Sequence, residues 1–286
     1  MTPRARATTT ARRYADGAAI LARSLRAGGR APEPGTAQVA PPTPSGWTVA
    51  PPDFVGVGTA RSGTTWWDSL IHSHPDVARA DGVPKEVHFF DRFWGGECTD
   101  EDIAAYHAYF ARPPGMRAGE WTPGYILDAW TPPLLRRAAP DARLLVLLRD
   151  PVERFRSGRT LAENRLTVGA SPRAAANAGF QRGIYADQLL RLWAAFPRDQ
   201  VLVLQFERCV REPAAELRRT FAFLGLDEAP ASAIDVTSVV NGSRGPKVDL
   251  SLEQRTTLVA RYGPENSRLA ALLGDGLDLS LWAMPR

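Results

Sequence analysis

Short runs of consecutive apolar residues, separated by amphipathic stretches, organise the chain from residue 51 onward. Three of these runs predict strands at Phe54–Gly58, Arg143–Leu148 and Val201–Phe206. Strands of a sheet that is covered on both faces read as continuous apolar runs, whereas half-exposed strands alternate. We therefore predict that these strands are buried on both faces.

Helical periodicity fills the intervals between the apolar runs. Strands that alternate with helices typically form a mostly parallel sheet with helices on both faces. We expect a three-layer α/β fold that binds its ligands at the carboxyl ends of the strands. The predicted helices span Thr64–His72, Thr131–Ala138, Val152–Arg165, Tyr185–Ala195, Ala214–Leu224 and Leu252–Leu273.

Residues 1–50 differ in composition from the rest of the chain, being rich in Ala, Arg, Thr, Gly and Pro. We interpret them as a basic, partly disordered extension, with a short helix near Ala11–Leu25 and a proline-rich linker at Ala40–Gly46. Such an arm can dock on an acidic partner or a membrane surface, or it can be a loosely ordered extension. The folded domain is predicted to span residues 51–286.

Composition narrows the class of protein only modestly. The 286 residues, 44% hydrophobic and 23% charged, suit one large globular domain, and the net charge of +4 suits anionic ligands weakly. Cys98 and Cys209 form neither a disulfide framework nor a metal-site spacing. Together with the lack of a secretory pattern or of an apolar run of about 20 residues, this favours a cytoplasmic protein without a transmembrane segment.

The first motif follows the first predicted strand. Gly58-Thr-Ala-Arg-Ser-Gly-Thr-Thr65 has the outline of a P-loop, in which glycines and a helix N-terminus direct backbone N–H groups at phosphate. Thr64 stands where a nucleotide triphosphatase has its lysine, and the positive charge lies at Arg61. The loop is thus predicted to bind one phosphate-like group without metal, although an ordinary glycine-rich turn remains an alternative. The predicted contacts are Arg61, Ser62, Gly63, Thr64 and Thr65.

The second motif lies at the end of the Arg143–Leu148 strand. Asp150 can cap the following helix, Pro151 suits its first position, and Glu153 stands where a capping box has its acid. Arg149 then lies at a strand end beside a helix start, where its guanidinium can bind phosphate in bidentate fashion. Alternatively, Arg149 pairs with Asp150 or Glu153 as a structural charge.

These motifs resemble those of sulfotransferases that use 3'-phosphoadenosine 5'-phosphosulfate (PAPS). Gly58–Trp66 resembles the 5'-phosphosulfate loop of that family, and Leu147–Ser157 resembles its 3'-phosphate motif. Lys85-Glu-Val-His-Phe-Phe-Asp91 resembles the acceptor-side segment of the heparan-sulfate-type branch. The resemblance runs in order over Phe54–Trp282. It implies a P-loop-like sulfotransferase fold and transfer of a sulfuryl group to a hydroxyl or amine, with adenosine 3',5'-bisphosphate as product and no metal.

The resemblance also implies roles for individual residues. Arg149 and Ser157 would hold the 3'-phosphate. Glu86 would be the base, and His88 would be its helper or an acceptor contact, unless it is a structural histidine. Arg61 would stabilise the leaving phosphate rather than donate a proton, because the pKa of arginine exceeds about 12.

Three further positions keep two interpretations each. Lys85 is either a cosubstrate contact or a solvated lysine, and in an extended segment it faces away from Glu86. Trp121 stands where relatives often have lysine, and it either lines the acceptor pocket or packs in the core. Tyr185 either lies near the adenine or acceptor cleft or packs at a helix start.

A basic glycine loop near the C-terminus completes the expected cosubstrate site. Asn241–Lys247 resembles the loop that closes over the phosphosulfate and adenine in relatives. Secretory relatives often carry a disulfide just before this loop, and its absence here adds to the expectation of a cytoplasmic enzyme. The expected contacts in this loop are Ser243, Arg244, Gly245 and Lys247.

The acceptor itself is not evident from the sequence. Arg159–Arg182 is expected to face it, and a small molecule or a glycan suits the family, with no nucleic-acid partner and with the oligomeric state open. Two other classes stay open: a P-loop phosphoryl transferase, which the Thr64 substitution disfavours, and a non-catalytic binding protein for anionic glycans.

Overall fold

A computed structural model of the chain describes residues 39–164, 171–236 and 249–282. In these ranges, five strands form one sheet that is parallel throughout, in the order β2-β3-β1-β4-β5. The predicted mostly parallel α/β sheet is therefore confirmed. The strands are β1 Phe54–Gly58, β2 Val77–Ala78, β3 Arg117–Trp121, β4 Arg143–Leu148 and β5 Val201–Gln205.

The described helices follow the strands on both faces of the sheet. The helices are α1 Thr64–Ile71, α2 Asp100–His107, α3 Thr131–Ala138, α4 Pro151–Asn164, α5 Pro172–Gln181, α6 Tyr185–Ala195, α7 Phe206–Arg211, α8 Pro213–Leu224 and α9 Leu252–Leu273. Six of them were predicted, and where both ends are described their bounds differ from the prediction by at most one residue.

The continuous apolar run of β4 explains the three layers. Leu144, Val146 and Leu148 pack into a core with α3 and α6, whereas Leu145 and Leu147 pack into a second core with α1 and α8. Successive side chains of a strand point to opposite faces, so an uninterrupted apolar run supplies both cores. All five side chains are fully buried.

Strand β3 and helix α2 do not follow the apolar patterns used for prediction. In β3, Gly119 lies so close to β1 that an added Cβ would stand 2.3 Å from the Phe54 carbonyl, and Glu120 is a buried acidic side chain. Helix α2 is acidic and half-exposed, and it begins with a capping box in which Thr99 and Asp102 satisfy each other's backbone amides. The sequence signal for this helix is therefore its N-terminal capping box, not an apolar periodicity.

The chain before Pro51 contacts the domain. Thr48 and Arg112 exchange backbone hydrogen bonds of 2.9 and 3.0 Å, and Trp47 packs against the larger core. The predicted helix near Ala11–Leu25 lies outside the described residues, so the division at residue 50 stays a prediction. No helix in the described ranges is long and apolar enough to cross a membrane.

Candidate active site

The loop between β1 and α1 presents backbone amides at the carboxyl end of the sheet. Arg61 and Gly63 have φ values of 73° and 88°, which turn the chain sharply before α1. Non-glycine residues in this left-handed region are uncommon and cluster at functional sites. Gly63 caps α1 without a side-chain hydrogen bond, and the first turn of α1 contains no acidic residue. The helix N-terminus is thus suited to an anionic ligand.

Buried hydrogen bonds hold this loop in place. The Thr59 hydroxyl donates to the Leu147 carbonyl over 2.9 Å, and its oxygen lies 2.6 Å from the Ser62 hydroxyl. Ser62 is fully buried, and its amide donates to the Thr59 carbonyl over 3.3 Å. The polar groups of Ser62 therefore stabilise the loop.

Trp121 packs beneath the same loop. The indole is fully buried, and its Nε1 donates to the Gly58 carbonyl over 3.0 Å. Gly56 lies against the ring, since an added Cβ would stand 2.1 Å from it. Of the two interpretations of Trp121, the structure supports core packing rather than acceptor lining.

Helix α4 starts at the carboxyl end of β4 as expected, with one correction. Oδ1 of Asp150 accepts from the second and third amides of α4 over 2.8 and 3.4 Å. The capping-box role expected of Glu153 is wrong, because the Asp150 amide donates to Glu207 over 3.0 Å. Glu153 instead forms ion pairs with Arg156 and Arg255.

The two anion motifs meet at the carboxyl ends of β1 and β4. Nε of Arg61 donates to Oγ of Ser157 over 3.1 Å, although the residues are 96 positions apart. Nη1 of Arg149 donates to the Arg61 carbonyl over 3.2 Å, and its guanidinium lies 4.7 Å from the Phe206 ring centroid. Arg149 thus contacts the loop rather than a neighbouring carboxylate. Tyr185 supports it, since the phenol donates to the Arg149 carbonyl over 2.8 Å.

A row of charged side chains lies beside the loop. Nζ of Lys85 donates to Oγ1 of Thr64 over 3.3 Å and to Oε1 of Glu86 over 2.9 Å. Oε2 of Glu86 lies 3.1 Å from Nε2 of His88, whose Nδ1 lies 2.7 Å from Oδ2 of Asp91. The expectation that Lys85 faces away from Glu86 is wrong, because the segment is not a regular strand and His88 has a φ of 53°. Asp91 was not predicted as a site residue, although its spacing from His88 could have indicated it.

These contacts determine the protonation of the row. Hydrogen bonds to Asp91 and Glu86 raise the pKa of His88 to about 10. The hydrogen bond from His88, joined by that from Lys85, lowers the pKa of Glu86 to about 2. At neutral pH, the His88 imidazolium therefore lies against the ionised Glu86 carboxylate.

A buried carboxylate anchors the main chain of this row. Glu120 at the end of β3 accepts from the Val87 amide over 3.0 Å, from the Thr122 hydroxyl over 2.5 Å and from the Tyr106 phenol over 2.9 Å. The Thr122 hydroxyl in turn accepts from the His88 amide over 3.2 Å. Burial raises the pKa of Glu120, and its donors oppose that shift. Sequence reasoning missed Glu120, because a lone acidic residue gives no sign that it is buried.

Part of the expected site lies outside the described residues. This applies to the basic glycine loop and to residues 165–170 of the expected acceptor-facing segment. Within the described ranges, no group of His, Cys, Asp and Glu side chains has the arrangement of a metal site. The predicted loop contacts Ser243, Arg244, Gly245 and Lys247 stay predictions.

Comparisons with known proteins agree on one family. A model described as "Sulfotransferase family" matches residues 100–230, which include Arg149 and Ser157. Heparan sulfate glucosamine 3-O-sulfotransferase 6 of Mus musculus is 32% identical over 222 residues, which cover 69% of this chain and 63% of that protein. The crystal structure of a sulfotransferase from Alicyclobacillus acidocaldarius matches with a TM-score of 0.61 and 28% identity, covering 82% of this chain and 99% of that one. The chain spans less than two thirds of the mouse relative.

The relatives contradict the expected cytoplasmic location. Besides the heparan sulfate enzymes, they include the membrane-associated sulfotransferase kil1 of Dictyostelium discoideum, which is 35% identical over 107 residues, 36% of this chain and 21% of that protein. The expectation rested partly on the absence of disulfides. Cys98 and Cys209 are free and buried. Buried thiols pack as small hydrophobic groups, and they do not report the compartment.

Proposed function

This chain belongs to the sulfotransferase family, and we propose that it moves a sulfuryl group from PAPS to a hydroxyl or amine of an acceptor. The observation that carries the proposal is the 3.1 Å hydrogen bond between Arg61 and Ser157. This bond joins an anion-binding loop after β1 to a second basic motif after β4. Two adjacent anion sites suit a nucleotide that is charged at both its 5' and 3' positions.

The residues at this edge fit such a nucleotide. The α1 N-terminus has no side-chain cap, so its amides and the Arg61 guanidinium can hold the 5' group together. Arg149 and Ser157 can hold the 3'-phosphate, because a guanidinium and a hydroxyl both donate to phosphate oxygens. When bound, PAPS supplies the activated sulfuryl group. Thr64 and Thr65, the first residues of α1, would contact its 5' group, and Lys85 links Thr64 to the row of charged side chains.

Glu86 is the proposed base. Its pKa is lowered to about 2, so it is ionised at neutral pH, whereas His88, with its pKa raised to about 10, already holds a proton. Each carboxylate oxygen has two acceptor positions, so Glu86 can accept from an acceptor hydroxyl while Lys85 and His88 hold it in place. His88 is therefore proposed to orient Glu86 rather than to take the proton.

Arg61 is proposed to stabilise negative charge on the leaving phosphate. It is fixed by the 3.1 Å bond to Ser157, so little reorganisation is needed when charge develops. A guanidinium does not readily release a proton, so its contribution is electrostatic. Transfer also requires the acceptor oxygen and the leaving oxygen to lie in line, and Glu86 and Arg61 are proposed to hold these two oxygens.

A transfer assay tests this proposal. The full chain is incubated with PAPS and, separately, with Mg-ATP, each with a panel of phenols, sugars and amines, and the nucleotide products are separated by chromatography. We expect acceptor-dependent release of adenosine 3',5'-bisphosphate without added metal, which is reduced in Arg149→Ala at low PAPS concentration but kept in the control Arg198→Ala. Arg198 precedes β5, so it lies at the amino ends of the parallel strands, opposite the proposed site. Phosphoryl transfer from Mg-ATP would instead support the P-loop phosphoryl transferase.

A further inference from the structure

Trp94 is the one exposed tryptophan of this chain. All eight tryptophans lie in the described ranges, and Trp94 is 62% exposed whereas the others are buried or half-buried. An indole has a large apolar surface whose burial would stabilise the fold. An exposed indole therefore offers a flat apolar face to a ligand.

The backbone places Trp94 on the same face of a turn as Asp91, one member of the row of charged side chains. Phe90–Phe93 forms a 3-10 turn that ends at Trp94, whose φ and ψ of −61° and −22° continue the turn. Residues three apart in a 3-10 helix lie on the same face, roughly 6 Å apart along the axis. Trp94 thus shares a face with Asp91, whose carboxylate contacts His88 over 2.7 Å.

This turn is firmly attached to the domain. Arg92 pairs with Asp102 over 2.8 Å, and its guanidinium lies 4.7 Å from the Phe93 ring centroid. The Phe90 carbonyl accepts from Nε1 of Trp130 over 3.1 Å. Because Phe90 and Phe93 are buried, the turn is held from inside while its Asp91 and Trp94 face stays open.

The neighbouring charged groups are accessible as well. The side chains of Glu86, His88 and Asp91 are 37%, 50% and 44% exposed. These carboxylates and the Trp94 indole are therefore all accessible to an acceptor. A flat apolar surface next to a base suits a molecule that carries its hydroxyl on a ring.

We propose that Trp94 is the stacking surface for the acceptor, and that the acceptor presents its hydroxyl on a ring, either an aromatic ring or a sugar ring with an apolar face. The ring lies against the indole, and the hydroxyl points toward Glu86. Stacking favours contact between flat apolar faces, and it fixes the hydroxyl near the base before transfer. This inference rests on the proposed sulfuryl transfer and names the acceptor class for the same site.

The test measures ring binding directly. The wild-type chain and its Trp94→Ala, Trp94→Phe and Val49→Ala variants are saturated with adenosine 3',5'-bisphosphate, whose affinity is measured by calorimetry. Binding of 4-nitrophenol, methyl β-glucopyranoside and the ring-free 1-hexanol is then followed by saturation-transfer NMR. Val49 is the control, because it is an exposed apolar residue that precedes β1, at the amino ends of the strands and opposite the proposed site.

We expect at least one ring probe to bind the wild type and Val49→Ala alike, and to bind Trp94→Ala about 3- to 10-fold more weakly, with recovery in Trp94→Phe. The two ring probes distinguish an aromatic from a sugar acceptor. Equal ring binding by wild type and Trp94→Ala, a preference for 1-hexanol, or no ring binding by the wild-type complex would overturn the role of Trp94. If the wild type does not bind adenosine 3',5'-bisphosphate at all, that result would instead contradict the proposed function.

Discussion

Nε2 of His88 and Oε2 of Glu86 lie 3.1 Å apart, and this contact separates the protonation of the two residues. The pKa of His88 is raised to about 10 while that of Glu86 is lowered to about 2. Between these values, Glu86 is free of its proton and His88 retains its own. Histidine is the more usual general base near neutral pH, but His88 already carries its proton here and cannot accept another.

Replacing Glu86 by glutamine should remove the base and keep the shape of the site. We expect kcat to fall by about 10²- to 10⁴-fold, as for the loss of a general base, with bisphosphate affinity largely retained. Steady-state kinetics and calorimetry on the same preparation measure the two effects. Normal turnover by Glu86→Gln would assign the base to another group.

Replacing His88 by alanine should shift the acid limb of the pH profile. The hydrogen bond from His88 is the largest cause of the lowered pKa of Glu86, so without it this pKa moves up toward the ordinary 4.5. The activity of an ionised base is lost as pH falls through its pKa, so kcat/KM should begin to fall at higher pH in His88→Ala. His88→Gln keeps a hydrogen-bond donor to Glu86, so it should return the acid limb part of the way toward its wild-type position.

The control for that experiment is His107→Ala, since His107 contacts the Ala138 carbonyl at the end of α3. Its pH profile should match that of the wild type. An acid limb that stays unchanged in His88→Ala would mean that His88 does not control the proton affinity of Glu86.

Removing the buried carboxylate of Glu120 should destabilise the fold. Glu120→Ala leaves the Val87 amide and the Tyr106 phenol without their acceptor. Each unsatisfied buried donor costs about 1–3 kcal/mol, so the free energy of unfolding should fall by roughly 2–6 kcal/mol in a urea titration. The exposed Glu97→Ala is the control and should stay within about 0.5 kcal/mol of wild type. A similarly small change in Glu120→Ala would contradict the anchoring role.

Asp128 should make stability depend on pH. Burial, followed by the charge of Asp91, raises its pKa from 3.8 to about 6. An acid whose pKa is higher in the folded state is favourable below its unfolded pKa and loses that contribution as pH rises through its folded pKa. Asp128→Asn should therefore be more stable than wild type at pH 7.5, by about 1 kcal/mol after solvent screening.

Denaturant unfolding at several pH values tests this prediction. The difference between Asp128→Asn and wild type should shrink as pH falls from 7.5 toward 4. A difference that stays constant across this range would show that the Asp128 carboxyl is not perturbed in the fold.

The sequence predicted those elements whose pattern follows directly from burial. β1, β4 and β5 are continuous apolar runs, and their strand ends correctly located the loop at Gly58 and the motif at Arg149. β3 was missed, because Gly119 and Glu120 interrupt its apolar pattern. Gly119 is needed there, since it allows β3 to pack closely against Phe54 of β1.

The mutual contacts of the site residues were less predictable. The partners of Lys85 depend on the left-handed backbone at His88, which a non-glycine residue adopts only in a particular tertiary setting. Trp121 had two interpretations, because an indole suits a core and a pocket equally well in sequence. Its burial under Gly58 depends on how β3 pairs with β1.

The most direct test of the proposed function is a calorimetric titration with adenosine 3',5'-bisphosphate in the absence of Mg²⁺, with AMP and ATP as comparisons. We predict binding that requires the 3'-phosphate and that weakens by about 1.5–3 kcal/mol, roughly 10- to 150-fold in Kd, in Arg149→Ala but not in Arg198→Ala. Binding of AMP as tight as that of the bisphosphate, or a preference for Mg-ATP, would contradict a PAPS site formed by Arg61, Arg149 and Ser157.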